Sequence, residues 1–137
     1  MKRRRLPTWV VTAGALALMV GLMGCSTSSS SVRATEITIS AGTPSDGSSV
    51  VSGVWTPSGT NGATLQLNAV ISPSDATNKA VTWSANYTTG YLSISSTGLI
   101  TIDDTAGDPT GGVIITATAT DGSGVTATFG VNLTNWG

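Results

Sequence analysis

Leu65-Gln66-Leu67-Asn68-Ala69-Val70-Ile71-Ser72-Pro73-Ser74-Asp75-Ala76-Thr77-Asn78-Lys79-Ala80-Val81-Thr82-Trp83-Ser84 is the stretch on which the fold turns. Leu65, Leu67, Ala69 and Ile71 alternate with Gln66, Asn68 and the less polar Val70, so one face of an extended chain is apolar and the other is wet. Pro73-Ser74-Asp75 then breaks the run with residues that favour a turn. Alternation resumes at Val81 and Trp83, which flank Thr82.

The same period of two continues outward in both directions. Upstream, Ile37 and Ile39 flank Thr38; downstream, Leu92 and Ile94 flank Ser93, and Ile100 and Ile102 flank Thr101. Val113, Ile115, Ala117 and Ala119 then face one way against Thr116 and Thr118, and Val125, Ala127, Phe129, Val131 and Leu133 face one way against Thr126 and Thr128. Ser96-Thr97-Gly98 and Asp121-Gly122-Ser123-Gly124 supply turns. About seven short antiparallel strands in some hundred residues predict an all-β, two-sheet sandwich, with a barrel as the alternative. Leu65, Leu67, Val81, Ile115 and Phe129 are the expected core, and Trp83 is the large ring expected to fill the gap between the sheets.

Composition narrows the chemistry. The 137 residues include 18 Ser and 23 Thr, one Cys and no His, and only 9% are charged. Without His the chain lacks the commonest general base near neutral pH and the commonest metal ligand, which excludes Ser-His-Asp and Cys-His hydrolases. Lys79 lies in a polar turn beside Asn78 rather than in an apolar run that would bury it, and no Gly-x-Ser-x-Gly elbow is present. The sequence therefore reads as that of a non-enzyme.

The amino terminus reads as an address. Lys2, Arg3, Arg4 and Arg5 precede an uncharged stretch from Trp9 to Gly24, which is short for a membrane span. It ends in Leu22-Met23-Gly24-Cys25, which resembles the bacterial lipobox; an ordinary signal peptide with an incidental cysteine is the alternative. The lipobox resemblance implies a lipid thioether on Cys25, cleavage after Gly24, acylation of the new terminus, and a membrane anchor that does not cross the bilayer. Beyond that covalent lipid no cofactor is expected. Residues 1–24 are then a signal peptide, 25–34 a Ser-rich flexible tether, and 35–137 the domain. Ser26 is not the Asp that would imply inner-membrane retention, which points to the outer membrane or cell surface if the source is Gram-negative. The portion after residue 24 keeps two cations, Arg33 and Lys79, against seven carboxylates, a balance of −5. That charge speaks against nucleic acid as a partner.

The opening stretch, together with Ser95-Ser96-Thr97-Gly98-Leu99-Ile100 and the Ala-Thr-rich hairpin from Ile115 to Thr126, resembles the bacterial immunoglobulin-like domain of group 2, found in intimin- and invasin-type surface proteins. The resemblance runs from about Thr35 to Leu133. It implies an immunoglobulin-like sandwich working in adhesion or in protein or glycan recognition at the cell surface; a spacer or accessory subunit of an envelope complex is the alternative. Two segments depart from the family pattern. Val50-Val51-Ser52-Gly53-Val54-Trp55 suggests an extra edge strand, and Asp103 to Gly112 forms a longer loop than usual. Asp103, Asp104 and Asp108 are candidate Ca²⁺ ligands, although their spacing is not that of an EF-hand and fits an ordinary solvated turn. Trp55, Tyr87, Tyr91 and Trp136 are candidates for stacking on a sugar or anchoring a protein, against the alternative that they cover the open ends of the core.

Overall fold

A computed structural model describes residues 29–59, 61–87, 90–103 and 111–133. The segment 1–24 read from the sequence as a signal peptide, with Leu22, Met23 and Gly24, and likewise Cys25, Asp104, Asp108 and Trp136, lie outside them. Regular structure among the described residues consists of strands only: β1 (Glu36–Ala41), β2 (Val50–Val51), β3 (Val54–Trp55), β4 (Thr64–Ser72), β5 (Val81–Ala85), β6 (Leu92–Ile94), β7 (Leu99–Ile102), β8 (Gly112–Ala119) and β9 (Thr126–Asn132). One sheet has the order β1-β4-β7-β6 and the other β2-β3-β9-β8-β5. The two sheets form the immunoglobulin-like sandwich, with the orders of its two layers.

The seven strands expected from alternation are all present. The count rises to nine because the Val50–Trp55 segment folds into the short hairpin β2–β3. Its second arm runs parallel to β9, with Val54 opposite Gly130 and Trp55 opposite Val131, so the five-stranded sheet is mixed rather than wholly antiparallel.

Every second residue of the long strands enters the gap. In β4 these are Leu65, Leu67, Ala69 and Ile71; in β8 they are Val113, Ile115, Ala117 and Ala119. The core has two parts. Large side chains fill one, with Trp55, Leu65, Leu67, Ile100, Ile102, Ile115 and Phe129 among them. The other is built mostly of alanine, from Ala34, Ala76, Ala117 and Ala119 with Ile37 and Ile71. Ile39 and Trp83 pack against both parts.

Trp83 reaches into the gap as expected but is less enclosed there than Trp55, for which the structure favours closing an end of the core over a surface platform. Trp83 is only half-buried, as is Val81, because β5 is an edge strand with a neighbour on one side alone. Its indole still crosses to the other sheet, where a Cβ on Gly98 would lie 2.9 Å from Trp83 Cε2 and 2.7 Å from the Leu67 carbonyl oxygen. Trp55, by contrast, is fully buried and is no surface platform. Pairing of β3 with β9 turns its ring inward beside Val131, and its indole N–H donates to Ser48 Oγ at 2.8 Å. Ser48 in turn is held by Asp46, whose carboxylate accepts from the N–H and hydroxyl groups of both Ser48 and Ser58. Partial burial pushes the Asp46 pKa up, but these hydrogen bonds outweigh it and leave the carboxyl below its ordinary value.

The domain also starts earlier than Thr35. Ala34 is buried, and Val32 to Ala34 are hydrogen-bonded to the sandwich, so these three residues belong to the folded domain.

Truncating Trp55 to Ala should cost about 3–5 kcal/mol, whereas Trp55→Phe, which keeps most of the ring and loses the N–H donor, should cost about 1 kcal/mol beyond its smaller volume. Urea denaturation of both variants would check the difference. Gly98 and Gly47 both have positive φ, but a Cβ on Gly47 meets open space. Gly47→Ala should therefore cost about 1–2 kcal/mol for the left-handed backbone alone, and Gly98→Ala about 1–3 kcal/mol more for overlap with Leu67 and Trp83. Equal midpoints for the two glycine variants would contradict this packing.

Candidate functional site

The strand directions give the sandwich two dissimilar poles. At one pole the lead-in segment is gripped. Val32 N–H donates to Thr77 Oγ1 and Thr77 N–H donates back to the Val32 carbonyl, both at 2.9 Å. Arg33 Nη1 donates to the Gly122 carbonyl at 2.9 Å, and Ala34 N–H donates to Asp121 Oδ2. Asp121 and Gly122 belong to the β8–β9 hairpin, where the Asp121 carboxylate also accepts from Ser123 N–H at 2.9 Å. The Ala34 N–H, assisted by Ser123, lowers the Asp121 pKa from 3.8 to about 2. A carboxylate held by hydrogen bonds to its charged form behaves in this way.

β1 runs away from this pole, and the residues singled out by sequence gather at the other. Tyr87 follows the end of β5, Tyr91 precedes β6, and Asp103 follows β7. The Tyr87 and Tyr91 rings stack with centroids 6.1 Å apart and planes inclined by 15°. Tyr87 is 51% exposed, Tyr91 is half-buried, and Asp103 N–H donates to the Tyr91 carbonyl at 2.8 Å. Asn86 fixes the base of this loop: its N–H donates to the Ile114 carbonyl at 3.0 Å and its Oδ1 accepts from Ile114 N–H at 2.8 Å. An exposed aromatic pair beside a carboxylate-bearing residue can stack on an apolar ring face.

Among the described residues no three of His, Cys, Asp and Glu come together in a way that could hold a metal ion. Of the calcium candidates only Asp103 falls within the described residues, where it is exposed. Of the expected core, Leu65, Leu67, Ile115 and Phe129 are buried.

Two features had no counterpart in the sequence reading. The grip of Asp121 and Gly122 on Arg33 and Ala34 spans almost ninety residues of sequence, and no local pattern announces it. The Asp46 network left one trace: Asp46-Gly47-Ser48 has the composition of an Asx turn.

Among known proteins, the family described as bacterial Ig-like domain (group 2) matches residues 55–129, from β3 into β9. The tail tube protein pb6 of Escherichia phage T5 is similar to the chain, with 43% identity over 76 residues. That stretch is 55% of this chain and 15% of the phage protein, so the chain spans only a small part of the relative's length.

Because its folded pKa is lowered, Asp121 contributes stability in full above about pH 3.8, and that contribution is lost as the pH falls through about 2. The parent protein should therefore lose stability across this interval, and Asp121→Asn should show a flatter profile there. Denaturant midpoints measured from pH 5 to about pH 2 would test this, and parallel profiles would contradict it.

Proposed function

We propose, since this chain belongs to the bacterial Ig-like domain (group 2) family, that it is an exported, lipid-anchored cell-envelope protein whose sandwich serves as a non-catalytic recognition or adhesion surface. The observation that carries this reading is the polarity of the domain. The chain leads into the sandwich at the pole where Thr77, Asp121 and Gly122 hold it. The stacked Tyr87–Tyr91 pair, with Tyr87 exposed, sits at the other pole. A domain moored through the segment before Val32 has its free loops at the end away from its attachment, which is where a rigid scaffold offers recognition residues. The Leu22–Cys25 motif supports the mooring, and the absence of His from the whole sequence supports a non-catalytic role. With two or more acyl chains the attachment would be stable, at about 0.8 kcal/mol for each buried CH₂.

A second reading is favoured by the phage relative. There the matching stretch is a small part of a protein named for a tail tube, and the domain here would likewise be a structural appendage without a ligand of its own.

The anchor is tested by Cys25→Ser in the full chain. Palmitate labelling and membrane association should both be lost, with the precursor left unprocessed; retention of both would refute it. Recognition is tested by saturable binding of the protein to host or envelope fractions. Tyr87→Ala should weaken that binding without changing the melting temperature. Absence of saturable binding, with stoichiometric co-purification of an envelope assembly, would instead establish the structural reading.

A further inference from the structure

Charge is sorted between the two poles of the sandwich. Arg33 and Lys79 are the two cations after residue 24. Arg33 lies in the lead-in, and Lys79 lies in the turn between β4 and β5, which Thr120 N–H joins to the β8–β9 hairpin by donating to the Ala80 carbonyl at 3.0 Å. Both cations are therefore at the pole of the lead-in, where they stand against the three carboxylates of Glu36, Asp75 and Asp121.

The other pole is acidic only. Asp46 follows β1, whose end is tied to the start of β4 by the Ser45 N–H donating to the Thr64 carbonyl at 3.0 Å, and Asp103 follows β7. No described residue at this pole is Lys or Arg. The sequence between β7 and β8 also holds Asp104 and Asp108 and no cation. Asp46 is committed to Ser48 and Ser58. Asp103 is exposed, and its N–H on the Tyr91 carbonyl sets it beside the stacked rings, of which Tyr87 is 51% exposed.

We propose, resting on the recognition reading of this pole, that its partner is an arginine-bearing segment of another protein, with a guanidinium laid on the Tyr87 ring and paired with the Asp103 carboxylate. The face of an aromatic ring carries negative potential and attracts a cation placed over it. A guanidinium is planar, stacks on such a face and offers a carboxylate a fork of donors, which an ammonium does not. Charge of one sign gathered at one end raises the local concentration of oppositely charged partners. The cations of the lead-in pole do not cancel it: the nine residues of β4 span about 30 Å at roughly 3.4 Å each, against a screening length of about 8 Å at physiological salt. A neutral sugar would use the ring and not the charge. An acidic polymer would be repelled.

A fluorescently labelled peptide of arginines spaced by glycines, titrated into the full chain in neutral detergent and followed by anisotropy, tests the pairing. Saturable binding at low salt that weakens as salt is raised is the expected result. Tyr87→Ala should weaken it about two- to fivefold, and Tyr87→Phe, which keeps the ring, should not. Asp103→Asn should weaken it by a similar factor, whereas Asp75→Asn, which removes the same unit of charge at the other pole, should leave it unchanged. No saturable binding, equal losses from the two Asp variants, or binding indifferent to Tyr87→Ala would each overturn the inference. Binding of a neutral glycan that Tyr87→Ala weakens, without binding of the arginine peptide, would overturn it and leave the recognition reading standing. Binding of neither, with co-purification of an envelope assembly, would remove both.

Discussion

Two sheets about 10 Å apart share one layer of side chains, and every strand must send alternate residues into it. All else in this domain follows from how that thin layer is filled. Where the strands contribute Leu65, Leu67, Ile100, Ile115 and Phe129, apolar burial is dense. Where they contribute Ala34, Ala76, Ala117 and Ala119, there is much less surface to remove from water. It is at this alanine-rich end that the lead-in segment is secured by donating hydrogen bonds to Thr77, Asp121 and Gly122 and accepting one from Thr77 N–H. Polar contacts hold there what a small apolar area would hold weakly.

The opposite end shows how the same layer is closed against water. Trp55 fills it, and a wholly buried indole needs an acceptor for its N–H. Ser48 provides one, oriented by Asp46, which also gathers Ser58. A loop that would otherwise be loosely attached thereby becomes a lid on the core, and β2–β3 is fastened to β9 beneath it. Of the stacked tyrosines, Tyr91 packs against this core while the Tyr87 ring stands exposed outside it.

Charged residues are divided between loops and sheet faces. The described carboxylates lie at or beyond strand ends, while the strands of the five-stranded sheet carry no charged residue. Short outermost strands complete the picture: β2 has two residues and β6 three, which leaves little length for edge-to-edge addition at those borders.

What the amino-acid sequence determined alone was the set of inward-facing residues in the long strands. A period of two assigns each side chain to a face whatever the partner strand is, so β4, β8 and β9 were legible residue by residue. Strands of two residues show no period, which is why the sequence only suggests an edge strand at β2 and β3 and leaves Trp55 between a surface ring and a cover for the end of the core. The half-burial of Trp83 was equally beyond local reading, because alternation reports which face a ring takes and not whether its strand lies at an edge. Tertiary structure alone decided the sheet order, the grip of the β8–β9 hairpin on Arg33 and Ala34, and the gathering of Tyr87, Tyr91 and Asp103 at one pole. The sheet order and the grip join segments far apart in sequence, and all three are set by which strands pair, a choice that neighbouring residues do not encode.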